Sequence, residues 1–189
     1  MTTTMRRFSP SVNLNRDVKD NFIYIVTANA QRAYQQILND FVLGTHSFSI
    51  IGSYGTGKSA FLVAFEQTLN RVHNHFPAPN GHFGGADNFD FINIVGSYAS
   101  IAETLAHKLH VQPEADIWKA LDARCTKLQQ CNGCLIIVID EFGKFLEYAA
   151  QVNPEQELYF IQQLAEYVNE QGKNVALLVT LHQNFTAYS

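Results

Sequence analysis

A short glycine-rich segment carries the residues most able to do chemistry. It matches the pattern G-x-x-x-x-G-K-[ST] at every fixed position and reads Gly52-Ser53-Tyr54-Gly55-Thr56-Gly57-Lys58-Ser59. Glycines let the backbone curl so that successive N–H groups point into one anion-sized hollow. The lysine supplies a cation for the β- and γ-phosphates, and the hydroxyl after it can bind Mg²⁺. The segment is therefore predicted to be a phosphate loop that binds a nucleotide.

The neighbouring elements fit this prediction. Residues 47–51 form a short apolar stretch, typical of a strand, that runs directly into the loop. Residues 58–76 place their apolar side chains on one face of a predicted helix. Such a helix directs its positive end at the phosphates, so we include Ala60 in its first turn among the predicted nucleotide-binding residues. The alternative is a glycine-rich turn that only joins a strand to a helix, and this context disfavours it.

Two adjacent carboxylates form a second candidate site. Asp140 and Glu141 follow five consecutive aliphatic residues, 135–139, which are typical of a strand covered by helices on both faces. Ligands bind beyond the carboxyl ends of strands in open α/β sheets. Asp140 is therefore predicted to hold Mg²⁺ through water, and Glu141 to orient and deprotonate an attacking water. The alternative is that Asp140 is an ordinary helix N-cap.

The rest of the chain alternates between predicted strands and helices. Further strands are predicted at 89–95 and 175–181, and further helices at 28–41, 100–109, from Pro113, at 141–150 and from 154 to about 172. This alternation predicts an α/β fold with a parallel sheet flanked by helices. Residues 1–21 are predicted to be an irregular arm, and 22–189 one domain with a long loop at 77–88.

The two candidate sites together resemble a known class of ATPase. Residues 135–141 resemble the Walker B element of P-loop ATPases, with a whole strand–helix unit between them and the phosphate loop. That arrangement resembles the additional-strand division, which includes the AAA+ and origin-recognition-like ATPases. The resemblance covers about 22–183 and implies a three-layer P-loop NTPase fold that uses ATP and Mg²⁺. Residues 140–150 also resemble ATPases of bacterial mobile-element and phage-defence clusters.

The last predicted strand adds a candidate for sensing the γ-phosphate. Residues 177–183 resemble the strand that carries the sensor-1 polar residue in AAA+ ATPases. The resemblance implies that Thr180 or His182 approaches the γ-phosphate, and both stay candidates. A surface position just past the strand is the alternative for His182.

Two departures from the AAA+ pattern shape the expected partners. The sequence ends soon after residue 181, so the last strand and the helical lid of an AAA+ module are expected to be absent. The last arginine is Arg124, which leaves no later arginine to serve as an arginine finger or a sensor-2 residue. We therefore expect the N-terminal part of a larger ATPase, or a fragment that needs a partner for activity. Its expected partners are further domains of the same protein or other copies in a homo-oligomer.

Charge, cysteine content and hydropathy indicate which other binding partners and which cellular compartment to expect. The net charge of -4 does not indicate a strongly basic nucleic-acid-binding surface, although nucleic acid stays possible. Three cysteines do not make a disulfide framework, and a single C-x-x-C at Cys131 and Cys134 is weak evidence for zinc. No signal-peptide core precedes residue 22, and no apolar run approaches the roughly 20 residues that span a bilayer. We expect a cytoplasmic protein without a membrane partner.

Three function hypotheses follow. The first is hydrolysis of Mg-ATP coupled to a conformational or assembly change in a larger protein, which Glu141 favours. The second is a nucleotide-dependent assembly or switch module with little hydrolysis, which the absence of an arginine after Arg124 favours. A small-molecule kinase ranks last, because the chain lacks the arginines of a kinase lid.

Overall fold

The computed structural model describes residues 12–19, 23–112 and 116–183. The helices are α1 (Leu14–Asp17), α2 (Ala28–Val42), α3 (Lys58–Leu69), α4 (Ile101–Leu109), α5 (Ile117–Gln130), α6 (Gly143–Val152) and α7 (Pro154–Val168). The strands are β1 (Ser47–Ile51), β2 (Asn88–Val95), β3 (Gly133–Asp140) and β4 (Val175–Leu181), and a 3₁₀ turn spans Phe83–Gly85.

The described strands form one parallel sheet in the order β1-β4-β3-β2. This order confirms the predicted parallel sheet. It also places β4 between β1, which leads into the phosphate loop, and β3, which ends at Asp140. Because the strands are parallel, the carboxyl ends of all three meet at the same edge of the sheet.

Helices cover both faces of the sheet, so the fold has three layers. Every residue of β3 and β4 is buried, and for β3 the aliphatic run 135–139 predicted this. Side chains at 135, 137 and 139 pack among residues of α4 to α7, whereas those at 134, 136 and 138 pack among residues of α1 to α3. Successive strand residues point to opposite faces, so each strand contributes to both apolar cores.

The helix after the phosphate loop is shorter than predicted. The structure ends α3 at Leu69, whereas the sequence predicted a helix to Phe76. Arg71 has φ 57°, a left-handed conformation that cannot continue a right-handed helix. Phe76 is nevertheless buried and stacks on Tyr34 of α2, with ring centroids 4.5 Å apart. The prediction was wrong because apolar residues continue at helical spacing after the helix has ended.

Two other helix boundaries also differ from the prediction. Helix α6 begins at Gly143 rather than near Glu141, because Asp140 is the last residue of β3 and Glu141 has φ 54°. Asp140 is therefore not a helix N-cap. Helix α7 ends at Val168 rather than near residue 172. Pro113, where a helix was predicted to begin, lies outside the described residues, and the helix that follows starts at Ile117.

Part of the predicted N-terminal arm packs against the domain. Residues 1–11 and 20–22 lie outside the described ranges. Within residues 12–19, the predicted irregular structure is replaced by the one-turn helix α1, whose Leu14 is fully buried in the core that includes α3. The division of the chain at residue 21 stays a prediction. In the described ranges, no helix is both long and apolar enough to cross a bilayer.

Candidate active site

Most of the predicted site residues line one cavity, whereas Gly52, Ser53, Thr56 and Thr180 do not. A cavity of about 360 Å³ lies at the carboxyl ends of β1, β3 and β4. All but one of its lining residues were predicted from the sequence, and they are Tyr54, Gly55, Gly57, Lys58, Ser59, Ala60, Asp140, Glu141 and His182. The exception is Val12, which sequence reasoning missed because a lone valine in a polar segment carries no signal. A larger, shallower cavity of about 590 Å³ lies at the opposite strand ends, near Gly133 and Asn174, and contains none of these residues.

The phosphate loop folds back on itself. Gly55 and Gly57 have φ values of 78° and 85°, in the left-handed region that favours glycine. Within the loop, the Thr56 hydroxyl donates to the carbonyl oxygen of Ser53 at 2.8 Å. A Cβ atom on Gly52 would lie 2.9 Å from the Thr56 hydroxyl, so a side chain there would displace that hydroxyl. Gly57 is the N-cap of α3, so the N-terminus of that helix points into the cavity lined by Lys58.

The Lys58 ammonium group is held by the protein itself. Its Nζ donates to the carbonyl oxygens of Gly52 at 2.5 Å and Ser53 at 2.9 Å, and lies 3.2 Å from Nδ1 of His182. Burial lowers the pKa of Lys58, and the charges of Asp140 and Glu141 oppose that shift. An ammonium group has three hydrogens, so these three acceptors use all of its hydrogen-bonding capacity.

Thr180 holds the Asp140 carboxylate in place. Its hydroxyl donates to Oδ1 of Asp140 at 2.5 Å. The backbone N–H of Glu141 donates to the Thr180 hydroxyl oxygen at 2.9 Å and to Oδ1 of Asp140 at 3.1 Å. Thr180 is fully buried, and Asp140 is 4% exposed. Thr180 therefore acts directly on the carboxylate predicted to hold Mg²⁺. His182, the other sensor candidate, lines the cavity and contacts Lys58.

Gly96 allows Glu141 to adopt its left-handed conformation. The backbone N–H of Gly96 donates to the carbonyl oxygen of Asp140 at 2.7 Å. A Cβ atom on Gly96 would lie only 2.1 Å from the carbonyl oxygen of Glu141. Only glycine fits at position 96 without moving the Glu141 backbone. The sequence analysis missed Gly96, although a glycine directly after a strand was a visible signal.

Glu141 has a charged partner on the following helix. Its carboxylate accepts a hydrogen bond from the Lys144 ammonium, and that hydrogen bond is the main cause of the raised pKa of Lys144. The sequence showed that Lys144 follows the carboxylates but did not reveal the pairing. The loop residue Tyr54 also has an unpredicted partner, because its ring stacks on His182 with centroids 3.5 Å apart.

Comparison with known proteins rests on solved structures. No protein-family model and no curated protein match the chain. The ORC2 protein of Aeropyrum pernix, solved as ADPNP-ADP complexes, superposes with a TM-score of 0.54 at 16% sequence identity. The match covers 88% of this chain and 44% of the ORC2 chain. Drosophila ORC bound to DNA superposes with a TM-score of 0.57 at 14% sequence identity, and the match covers 97% of this chain and 47% of the ORC chain. C. elegans PCH-2 superposes with a TM-score of 0.50 at 12% sequence identity, and the match covers 94% of this chain and 43% of the PCH-2 chain.

The chain has the fold of the origin-recognition-like AAA+ ATPases. This confirms, at the level of fold, the resemblance inferred from the phosphate loop and residues 135–141. The chain spans less than half the length of each of these AAA+ structures. At these identities the likeness shows the fold alone, so the chemistry must be argued from the side chains of this chain.

The donor set of this AAA+ fold suits Mg²⁺. The Ser59 hydroxyl and the Asp140 carboxylate line the same cavity, and Oδ2 of Asp140 accepts no hydrogen bond from the described residues. Mg²⁺ is usually held by one or two carboxylates together with substrate phosphates and water rather than by an all-protein cage. The described ranges contain no cluster of three His, Cys, Asp or Glu side chains. Cys131 is exposed and Cys134 is buried, which fits a turn into β3 better than a zinc site.

Replacing Thr180 with valine is expected to destabilise the domain by about 1–3 kcal/mol, because the buried Asp140 carboxylate loses a hydrogen bond while the side-chain volume is kept. Urea unfolding followed by circular dichroism would measure the change. Thr180→Ser keeps the hydroxyl and serves as the control, with an expected smaller loss. Equal stability of parent and Thr180→Val would show that the hydroxyl does not stabilise Asp140.

Proposed function

We propose that this chain binds Mg-ATP in the 360 Å³ cavity and hydrolyses it, and that hydrolysis drives a conformational or assembly change in a larger protein. The observation that carries the proposal is the convergence of Lys58 and Ser59 with Asp140 and Glu141 on one cavity. A phosphate-binding loop and a pair of carboxylates at the same edge of one sheet are what transfer of a γ-phosphoryl group to water requires.

Binding uses the loop and the start of α3. The phosphates lie against the backbone N–H groups of the loop and the positive end of the helix. Lys58 exchanges its contacts with the Gly52 and Ser53 carbonyls for contacts with the β- and γ-phosphates. Ser59 and Asp140 would hold Mg²⁺, which supplies positive charge to the phosphate oxygens.

Hydrolysis uses Glu141. Its carboxylate orients a water molecule and accepts one of its protons as the water oxygen bonds to the γ-phosphorus and the bond to the ADP oxygen breaks. Thr180 and Gly96 fix the backbone that carries this carboxylate. Lys144 pairs with the same carboxylate, so the pair must loosen for Glu141 to accept the proton.

A second candidate function is a nucleotide-dependent assembly or switch module with little hydrolysis of its own. The Glu141–Lys144 ion pair favours it, since a carboxylate engaged by an ammonium group is a less available base. No described feature favours a small-molecule kinase. The partners proposed are ATP, further domains of the same protein, or other copies of this chain. The net charge of -4 gives no support to a nucleic-acid partner, and a cytoplasmic location stays a proposal.

Calorimetric titration of the purified chain with Mg-ATP tests the binding step. Lys58→Ala is expected to weaken binding at least about tenfold, because a hydrogen bond to a charged group contributes about 1.5–3 kcal/mol and 1.4 kcal/mol is tenfold. Lys127→Ala, which removes an exposed lysine from α5, is the control with expected parental affinity. Equal affinities for the parent and Lys58→Ala would argue against the phosphate loop, and absence of binding by the parent would remove the proposal.

A further inference from the structure

We propose that Tyr54, Lys58 and His182 form a latch that closes the phosphate loop in the nucleotide-free chain, and that the phosphates of a nucleotide open it. The latch is a regulatory feature of the nucleotide site and rests on the function proposed above. It names Tyr54 and His182, rather than Lys58 alone, as residues that set nucleotide affinity.

The first support is the hydrogen bonding of Lys58. Lys58 is 9% exposed, and its ammonium group donates to two loop carbonyls and to His182, so no hydrogen is left for a phosphate oxygen. A phosphate must compete with these acceptors before it can be bound. Among them, the contact with His182 is the one that ties the loop to β4, because the carbonyls belong to the loop itself.

The second support is the stacking of Tyr54 on His182. The two rings lie 3.5 Å apart at an interplanar angle of 20°, and both residues line the cavity. Tyr54 is 74% exposed, so its ring does not pack into the core, and the stack on His182 is the ring contact that the structure records for it. Tyr54 thus holds the imidazole in the position where Nδ1 accepts from Lys58.

The third support is an unfavourable feature of the closed state. Nε2 of His182 is buried and makes no hydrogen bond with any described residue. A buried polar atom without a partner is unfavourable. Moving His182 out to water removes this cost, which favours opening of the latch when phosphates compete for Lys58.

The position of His182 extends the effect of the latch beyond the cavity. His182 directly follows β4, and the backbone N–H of Gly52 donates to the carbonyl oxygen of Leu181 at 3.1 Å. The loop after β1 and the end of β4 are therefore joined at two adjacent points. Opening the latch frees the His182 side chain, which converts phosphate binding into a change directly after β4.

Titration with Mg-ADP tests the latch, because a γ-phosphate contact by His182 then plays no part. Tyr54→Ala and His182→Ala are each expected to bind Mg-ADP roughly two- to tenfold more tightly than the parent, the range set by a typical aromatic pair. The double variant is expected to bind no more tightly than the tighter single variant, because both substitutions open one latch. Tyr54→Phe keeps the ring and should bind Mg-ADP less tightly than Tyr54→Ala, and Tyr159→Ala, which removes an exposed ring from α7, is the control with parental affinity.

A second measurement needs no nucleotide. Burial lowers the pKa of His182, and neighbouring Lys58 lowers it further; Lys144 acts in the same direction, while Asp140 and Glu141 act in the opposite one. Titration of the His182 ring by NMR is expected to show a lowered pKa in the parent and in Tyr54→Phe. In Tyr54→Ala the pKa of His182 is expected to rise, because the imidazole is no longer shielded from water by the Tyr54 ring.

The outcomes separate the latch from the proposed function. Unchanged or weaker Mg-ADP binding by Tyr54→Ala and His182→Ala, with a parent that binds, overturns the latch and leaves nucleotide binding standing. An ordinary His182 pKa in the nucleotide-free parent overturns the latch whether or not nucleotide binds. A lowered pKa that rises in Tyr54→Ala supports the closed latch even where no nucleotide binds, an outcome that removes the proposed function instead.

Discussion

Replacing Glu141 with glutamine is expected to lower the rate of phosphate release by at least about a hundredfold, while Mg-ATP still binds. The amide keeps the size of the side chain but cannot accept a proton from water. The backbone contacts of residue 141 with Thr180 and Asp140 do not involve the side chain and are kept. The loss should therefore fall on turnover rather than on binding.

Phosphate release in a single turnover, with protein in excess over ATP, would measure this effect. Glu147→Gln, at an exposed glutamate on α6, makes the same chemical change away from the cavity and should leave the rate unchanged. If parent and Glu141→Gln release phosphate at the same rate, Glu141 is not the base. If the parent binds Mg-ATP but neither protein releases phosphate, the switch module is the better description of the chain.

Replacing Gly96 with alanine is expected to destabilise the domain by about 3 kcal/mol, near the upper end of what overpacking costs. The new Cβ atom would lie 2.1 Å from the carbonyl oxygen of Glu141 and 3.1 Å from that of Asp140. Both neighbours are backbone atoms, which cannot rotate away as a side chain can. Relief requires a shift of the segment that carries the two carboxylates, so phosphate release should fall together with stability.

Urea unfolding would measure the stability change, and Ser97→Ala is the matched control. Ser97 is the next residue and is exposed, so its replacement should change the free energy of unfolding by less than about 0.5 kcal/mol. A Gly96→Ala variant as stable as the parent would show that the turn after β3 can move freely. In that case the left-handed conformation of Glu141 would not depend on Gly96.

The sequence predicted the fold correctly where the signal is local, while the roles of the site residues stay predictions. The phosphate loop and Asp140–Glu141 are contiguous motifs, and the five aliphatic residues before Asp140 report burial on both faces directly. The sequence-based prediction of helices was wrong where a helix begins or ends without a residue pattern that marks the boundary. Helix α1 is too short to show a period, and the apolar residue Phe76 continued the pattern of α3 past the left-handed Arg71.

The contacts within the site show a different limit. Gly96 meets Glu141 from another strand end, and Tyr54 stacks on a histidine that follows β4. These pairs are far apart in sequence, and only the strand order brings them together. The Glu141–Lys144 pair is close in sequence, but its spacing predicts an ion pair only once both residues are known to flank the start of a helix.

The pairing of β1 with β4 has a consequence for biosynthesis. Ser47 pairs with Leu177 and Ile51 with Leu181, and no other described strand pairs with β1. A ribosome therefore finishes the phosphate loop more than a hundred residues before it makes the strand that supports that loop. Contacts this distant in sequence form late and slowly. Nucleotide should be unable to assist folding until residue 181 has left the exit tunnel, and a chain that stalls earlier would display an unpaired β1 to the cell's chaperones.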